Sequence, residues 1–377
     1  MGLEIVKSSG IYLIDRTGNR YMDLISGIGV SNTGHRPKRV IQAIRKQIGK
    51  YLHTMVYGEY VQHPQVQLAK HLCAHTAPNL NNVFFVNSGS EAIEGALKLA
   101  KRYSKRHKIV AMRNAYHGST HGAMSLMDND YYSSFYRPLL PEVYFATFNS
   151  IESLQIIDDS TACVVVEPIQ GEAGYIAANP HFLSALRQKC DETGTLLIFD
   201  EIQTAMGRTG SLFAYEQYDV VPDILCLAKA FGAGMPLGAF VSSKEIMGTF
   251  TDRPVLGHIS TFGGHPVSCA AALENLKWLA TSTLINDVGK KETLFRSLLE
   301  GHPQVVSISG RGLMLALNLG SESKMKKLVK HALENGLIVD WFLHNTKSIR
   351  IAPPLTISNA EIKKACHIIQ GGLNMLV

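Results

Sequence analysis

Three short segments of this chain bring together side chains that could share one reaction. In Ile224-Leu-Cys-Leu-Ala-Lys229 an apolar run ends on a lysine and opens into the glycine-rich stretch Ala230-Phe-Gly-Ala-Gly-Met-Pro-Leu-Gly238. A lysine in a dry pocket loses basicity and becomes a nucleophile toward carbonyl groups. A lysine snorkelling from a strand end to solvent would carry the same local sequence. In Leu196-Leu-Ile-Phe-Asp200-Glu-Ile-Gln203 another apolar run delivers a carboxylate, which is unfavourable there without a partner. A protonated ring nitrogen, a salt-bridging cation or a metal ion would each serve. Val83-Phe-Phe-Val86 leads into Asn87-Ser-Gly-Ser-Glu-Ala92 and then an amphipathic stretch with Ala92, Ile93, Ala96, Leu97, Ala100 and Tyr103 on one face. Ser88 and Glu91 have capping-box spacing, which starts the helix at Gly89-Ser90. Its free N–H groups beside a glycine suit an anion, and they suit a capped helix without ligand equally well.

These residues need a frame that ends several buried strands at one edge. Apolar runs at Val83–Val86, Ile109–Met112, Cys163–Val166, Leu196–Phe199 and Ile224–Leu227 alternate with turns and longer helical stretches. Such runs suit strands covered on both faces, hence a mostly parallel α/β sheet flanked by helices. Ligands of these sheets collect at the carboxyl ends of the strands. The segment around Thr17-Gly18-Asn19 reads as a hairpin turn, and beyond about Ala270 helices mix with short strands such as 314–319. We expect a large domain over residues 36–269, with residues 1–35 and 270–377 forming a smaller α/β domain.

Composition narrows the function classes. The 377 residues are 46% hydrophobic and 18% charged, ordinary for a globular protein, and the net charge is +6. Basic clusters at 101–108 and 324–330 alternate with apolar positions at helical spacing and read as solvated helix faces, so no nucleic-acid partner is expected. No apolar run has the length of a membrane span, and the N-terminus lacks the blocks of a secretory signal. Cys73, Cys163, Cys190, Cys226, Cys269 and Cys366 form no CxxC pair. They read as free thiols in a reducing compartment, the cytoplasm, not as disulfides or metal ligands.

Taken in order, the motifs resemble the class III aminotransferases, the ornithine, acetylornithine and 4-aminobutyrate group of fold type I pyridoxal-phosphate enzymes. The resemblance runs from Gly10 to Pro354 through Ser26-Gly-Ile-Gly-Val30, Gly34-His35, Asn87–Ala92, Tyr116-His-Gly118, Glu167-Pro-Ile-Gln-Gly-Glu-Ala-Gly174, Asp200–Gln203, Lys229 and Ser260-Thr-Phe-Gly-Gly264. It implies that Lys229 holds pyridoxal 5'-phosphate as a Schiff base and shuttles the substrate proton. Asp200 would pair with the ring nitrogen, Gln203 with the ring hydroxyl, Tyr116 would stack on the ring, and Gly89 and Ser90 would bind phosphate. Glu167 would support the site by hydrogen bonding. Thr261 would reach the phosphate in a neighbouring subunit, which implies a homodimer with active sites at the subunit interface.

Ser348-Ile-Arg350-Ile-Ala-Pro-Pro354 matches the segment carrying the arginine for a substrate carboxylate, and Glu172 the acid that covers it. Two positions depart from the ornithine and acetylornithine pattern: Ser119 replaces an arginine for the distal carboxylate of 2-oxoglutarate, and Ile28 replaces a donor-recognising tyrosine. The expected reaction moves the terminal amine of an ornithine- or acetylornithine-like amino acid to a 2-oxo acid such as 2-oxoglutarate by a ping-pong mechanism. A transaminase of another ω-amino acid or amine using pyruvate, or an aminomutase, is the alternative.

Overall fold

A computed structural model describes residues 2–55 and 58–376. Its largest sheet has seven strands in the spatial order Asn82–Val86, Gly238–Ser242, Ile224–Leu227, Leu196–Asp200, Thr161–Val166, Lys108–Met112 and Val143–Ala146. The Gly238–Ser242 strand runs against both of its neighbours, and the other pairings are parallel. This is the helix-flanked, mostly parallel sheet expected from the apolar runs.

Side-chain alternation explains why those runs carry no polar face. Val164, Leu197, Phe199, Leu225 and Val241 enter the core on one side of the sheet. Cys163, Val165, Ile198, Cys226 and Phe240 enter the core on the other. Successive strand residues point to opposite faces, so burial of both faces makes every position apolar. The helix Gly89–Ser104 covers the second face with Ala92, Ile93, Ala96, Leu97 and Ala100. Tyr103 leaves this stripe: it is partly exposed and donates to Glu245 at 2.9 Å.

The chain ends share smaller sheets. Tyr12–Asp15 and Arg20–Asp23 form the hairpin, and the Asp15 carboxylate accepts the N–H groups of Thr17 and Asn19 in its turn. Leu337–Ile338 adds to Arg20–Asp23 in parallel. A three-stranded antiparallel sheet joins Ser307–Arg311, Met314–Asn318 and Ser348–Ile351. The first core runs continuously from Ile11 and Met22 through the large sheet to Ile369 and Leu373, so these parts bury apolar surface together.

Arg208 ties three of them by hydrogen bonds. Its side chain is fully buried, and its guanidinium donates to the carbonyls of Leu313 and Pro353 and to Asn32 Oδ1. Burial lowers its pKa to about 10, which leaves it charged at neutral pH. Arg208→Leu keeps an apolar stem and strands three buried acceptors, so the protein should lose about 3 kcal/mol or more. Urea unfolding followed by tryptophan fluorescence checks this; an unchanged midpoint would show that the three acceptors find other donors.

Candidate active site

The carboxyl ends of the central strands converge on a cavity of about 390 Å³. Its wall includes Gly89, Ser90, Tyr116, Glu167, Glu172, Asp200, Gln203 and Lys229, eight residues singled out from sequence. Topology brings them together. Asp200 closes one strand, Glu167 follows the neighbouring strand, and Lys229 lies two residues beyond the next. The reversed strand starts at Gly238, paired with Val86, and so returns to the same edge beside the start of the Gly89–Ser104 helix.

That helix start is built for close approach. Ser88 Oγ accepts the Glu91 N–H at 3.2 Å, as a capping residue does. Glu91 reaches one residue further back than a capping box requires: its Oε2 accepts the backbone and side-chain N–H groups of Asn87 at 2.9 and 2.8 Å. Ser90 Oγ accepts the Ser119 N–H at 3.1 Å. Gly118, at φ 135°, lies so near that a Cβ there would sit 2.0 Å from Ser90 Oγ. Glycine is therefore required where the Tyr116–Gly118 turn meets the helix.

Three carboxylates surround Lys229, and each is held by other partners. Asp200 Oδ2 lies 2.7 Å from His117 Nδ1, and Oδ1 accepts the Ile202 N–H at 3.0 Å. Glu167 accepts the N–H groups of Gly171 at 2.9 Å and Tyr116 at 3.3 Å. Glu172 accepts Arg350 Nη2 at 3.1 Å and the Leu343 N–H at 3.1 Å. No described residue hydrogen-bonds or ion-pairs with the Lys229 ammonium, so burial lowers its pKa despite the acids around it. Its backbone is also strained, at φ 49°. Burial is the largest influence on Glu167 and raises it to about 7, with His117 opposing and Asp200 adding.

His117 is the residue that sequence reasoning quoted but gave no role. Its imidazole is fully buried, and Nε2 has no hydrogen-bond partner among the described residues. Burial pulls its pKa down, but the hydrogen bond and charge of Asp200 outweigh that, and the result lies above the ordinary value. Only its place between Tyr116 and Gly118 could have signalled it.

The remaining residues divide. Arg350 lies behind Glu172, 1% exposed, with its guanidinium 4.8 Å from the Phe342 ring and 5.6 Å from that of Tyr175. Its Nε is 3.4 Å from Asp340 Oδ1, an acid that sequence reasoning missed. Ile28 does not line the cavity; Val30 does. Ile28 belongs to the turn Ser26–Gly29, whose four residues all have positive φ. Asp23 secures this turn by accepting the Ile25 and Ser26 N–H groups at 2.8 and 2.9 Å. Thr261 lies outside the cavity and is exposed, with its carbonyl 2.9 Å from His53 Nε2. Ser119 Oγ lies 3.1 Å from the Tyr116 hydroxyl. Arg113 and Arg137 do not replace the missing arginine: they pair with Asp128 and Asp130 and do not line the cavity.

The family model for class-III aminotransferases matches residues 1–373. The chain is a class-III aminotransferase. It therefore moves amino groups with pyridoxal phosphate. It is similar to the acetylornithine aminotransferase of Caldanaerobacter subterraneus subsp. tengcongensis, at 38% identity over 98% of this chain and 94% of that protein. It is also similar to the putrescine aminotransferase of Pectobacterium atrosepticum, at 39% identity over 93% of this chain and 77% of that protein. Among solved structures, the ornithine aminotransferase of Toxoplasma gondii, described with PLP partly occupying its active site, superposes with a TM-score of 0.92. The two share 29% identity, over 99% of this chain and 89% of that one. A transaminase from the marine bacterium Virgibacillus superposes with a TM-score of 0.94 at 26% identity, covering 100% and 93% of the two chains.

The His117–Asp200 pair makes the aminotransferase testable without substrate. Selective carbon-13 labelling of histidine should give His117 a pKa above 6.5 in the wild type. In Asp200→Asn burial remains and the carboxylate is gone, so the same resonance should titrate below about 6.5. A His117 resonance indifferent to the substitution would contradict the pair.

Proposed function

We propose that this aminotransferase accepts the terminal amine of an acetylornithine- or ornithine-like amino acid, or of a related diamine, and passes it to a 2-oxo acid. The observation that carries the reading is the Lys229 amine, unpaired in a cavity ringed by otherwise engaged carboxylates. The acetylornithine and putrescine aminotransferases among its relatives support the donor class.

The residues present fit pyridoxal phosphate. Gly89 and Ser90 would take the phosphate at the start of a 16-residue helix, whose N–H groups and dipole favour an anion. Gln203 Oε1 is buried without a hydrogen-bond partner and would accept the ring hydroxyl. Tyr116 would stack on the ring, and Asp200, oriented by His117, would hold the proton on the ring nitrogen. When bound, the cofactor supplies an aldehyde that condenses with primary amines and a ring that draws electrons from the carbon beside the nitrogen. Lys229, its basicity reduced by burial, would take the proton from that substrate carbon and return it to the carbon on the other side of the nitrogen. Glu167 fixes the Tyr116 turn by accepting its N–H. Arg350 would receive a substrate carboxylate when Glu172 turns aside, and Glu172 would cover Arg350 when an amine enters by its far end.

Donor and acceptor use the same cavity in turn, so ping-pong kinetics follow. Pyruvate as acceptor is a second reading with its own support. Among the described residues no arginine lines the cavity, its imidazole His117 is engaged by Asp200, and Ser119 beside it carries only a hydroxyl.

We also propose a cytoplasmic homodimer, with residues 36–269 as the cofactor-carrying domain and residues 1–35 with 270–377 as the smaller one. Val61, Ile259 and Phe262 are exposed beside Thr261, which supports a second copy covering this surface and Thr261 serving the neighbour's site. All six cysteines are free, as in a reducing compartment. No helix among the described residues is long and apolar enough to cross a membrane.

Lys229→Ala should lower kcat by more than about a hundredfold, the lower end for losing a general acid–base group. Near-normal turnover would remove Lys229 from the reaction. Arg350→Ala should raise KM for carboxylate substrates at least about tenfold, as loss of a charge-assisted contact does, and leave KM for simple amines nearly unchanged. Equal effects on both would make Arg350 structural. Initial rates with a panel of amines, each against 2-oxoglutarate and pyruvate, measure both variants and identify the acceptor.

A further inference from the structure

Arg350 answers to two acids. Besides Glu172 on Nη2, Asp340 lies on the Nε side at 3.4 Å, and the Arg350 N–H donates to the Asp340 carbonyl at 2.8 Å. That backbone bond locks the two residues side by side. Asp340 Oδ1 and Arg350 Nη1 make no hydrogen bond among the described residues. The nearly closed cluster therefore holds one positive and two negative groups. Asp23, a further acid that acts on Asp340, is occupied by His35 at 2.8 Å and by the Ile25 and Ser26 N–H groups. Burial raises Asp340 to about 6, with Arg350 opposing and Glu172 and Asp23 adding, so the carboxyl is mostly ionised at neutral pH.

The two acids differ in where they stand. Glu172 lines the cavity, in the turn that follows Ile169–Gln170. Asp340 does not line the cavity and follows the strand Leu337–Ile338. A substrate carboxylate can take the place of Glu172 but cannot displace Asp340. It then approaches a guanidinium whose charge is already balanced by a neighbour, and at this partly buried position the residual repulsion opposes it. An amine with a neutral or cationic far end meets the intact cluster and its surplus negative charge.

We propose that Asp340 is a specificity-determining residue, which weakens carboxylate capture at Arg350 and tilts the site toward primary amines and diamines whose far end bears no carboxylate. The inference rests on Arg350 facing substrate, as read above.

The test uses the holoenzyme and pentane-1-sulfonate, an anion that stays charged at every working pH. Asp340→Asn should bind it about tenfold more tightly, and should shift the kcat/KM ratio of pentylamine to 5-aminopentanoate about tenfold toward the amino acid. Asp340→Glu, which keeps the charge, should retain the wild-type values. Unchanged sulfonate binding and substrate ratio in Asp340→Asn, with sulfonate binding lost in Arg350→Ala, would overturn the role of Asp340 and leave that of Arg350 standing. Unchanged binding in Arg350→Ala would remove both. Should Asp340→Asn fail to fold, Asp340→Ser decides by the same two readouts: sulfonate binding no tighter than in the wild type, with the substrate ratio unchanged, would overturn the proposal.

Discussion

A lysine without a counter-ion among the described residues, set in the wall of a cavity lined by acids, is the constraint on which the proposed reaction depends. Lys229 shares the cavity wall with Glu167, Glu172 and Asp200, whose charges act on it. Each is instead committed: Asp200 to His117, Glu172 to Arg350, and Glu167 to two backbone N–H groups. A salt bridge would have raised the lysine's basicity and removed it from chemistry. On the role proposed for Lys229, the hydrogen bonds that hold the acids are as necessary to the reaction as the lysine itself.

The fold supplies those commitments through one edge of the sheet. Parallel strands end together, so Asp200, Glu167 and Lys229 arrive from different strands at one place. The reversed strand Gly238–Ser242 brings its own beginning to the same edge, against the start of the helix that would take an anion. Arg350 comes from a separate three-stranded sheet near the C-terminus, and its contact with Glu172 spans 178 residues of sequence. Arg350 and Glu172 are therefore brought together only by the tertiary fold.

Legibility in sequence followed that division. The buried strands were readable because burial on both faces leaves an uninterrupted apolar run, and Lys229 and Asp200 stood out as charges where such runs stop. Glu172 and Arg350 were readable only through the resemblance, since no local pattern links them. His117 was quoted within a motif but had no visible partner, because its hydrogen bond to Asp200 crosses from one strand end to another. Asp340 stood beside Trp341 and Phe342 with nothing to mark it, and acquires meaning only where its backbone pairs with that of Arg350. Ile28 and Thr261 show the opposite case: their motifs were clear, yet neither side chain lines the cavity. The run of positive φ around Ile28 follows a local turn in which Asp23 accepts the N–H groups two and three residues on, a side-chain device that apolar periodicity does not report.

The central claim is that one particular amine carries the cofactor, and reduction can trap that bond for direct reading. The holoenzyme would be treated with sodium borohydride, digested, and mapped by mass spectrometry. The account predicts a pyridoxyl mass on the peptide containing Lys229 and on no other lysine. A label on a different lysine, or none at all on a protein that retains cofactor, would contradict it.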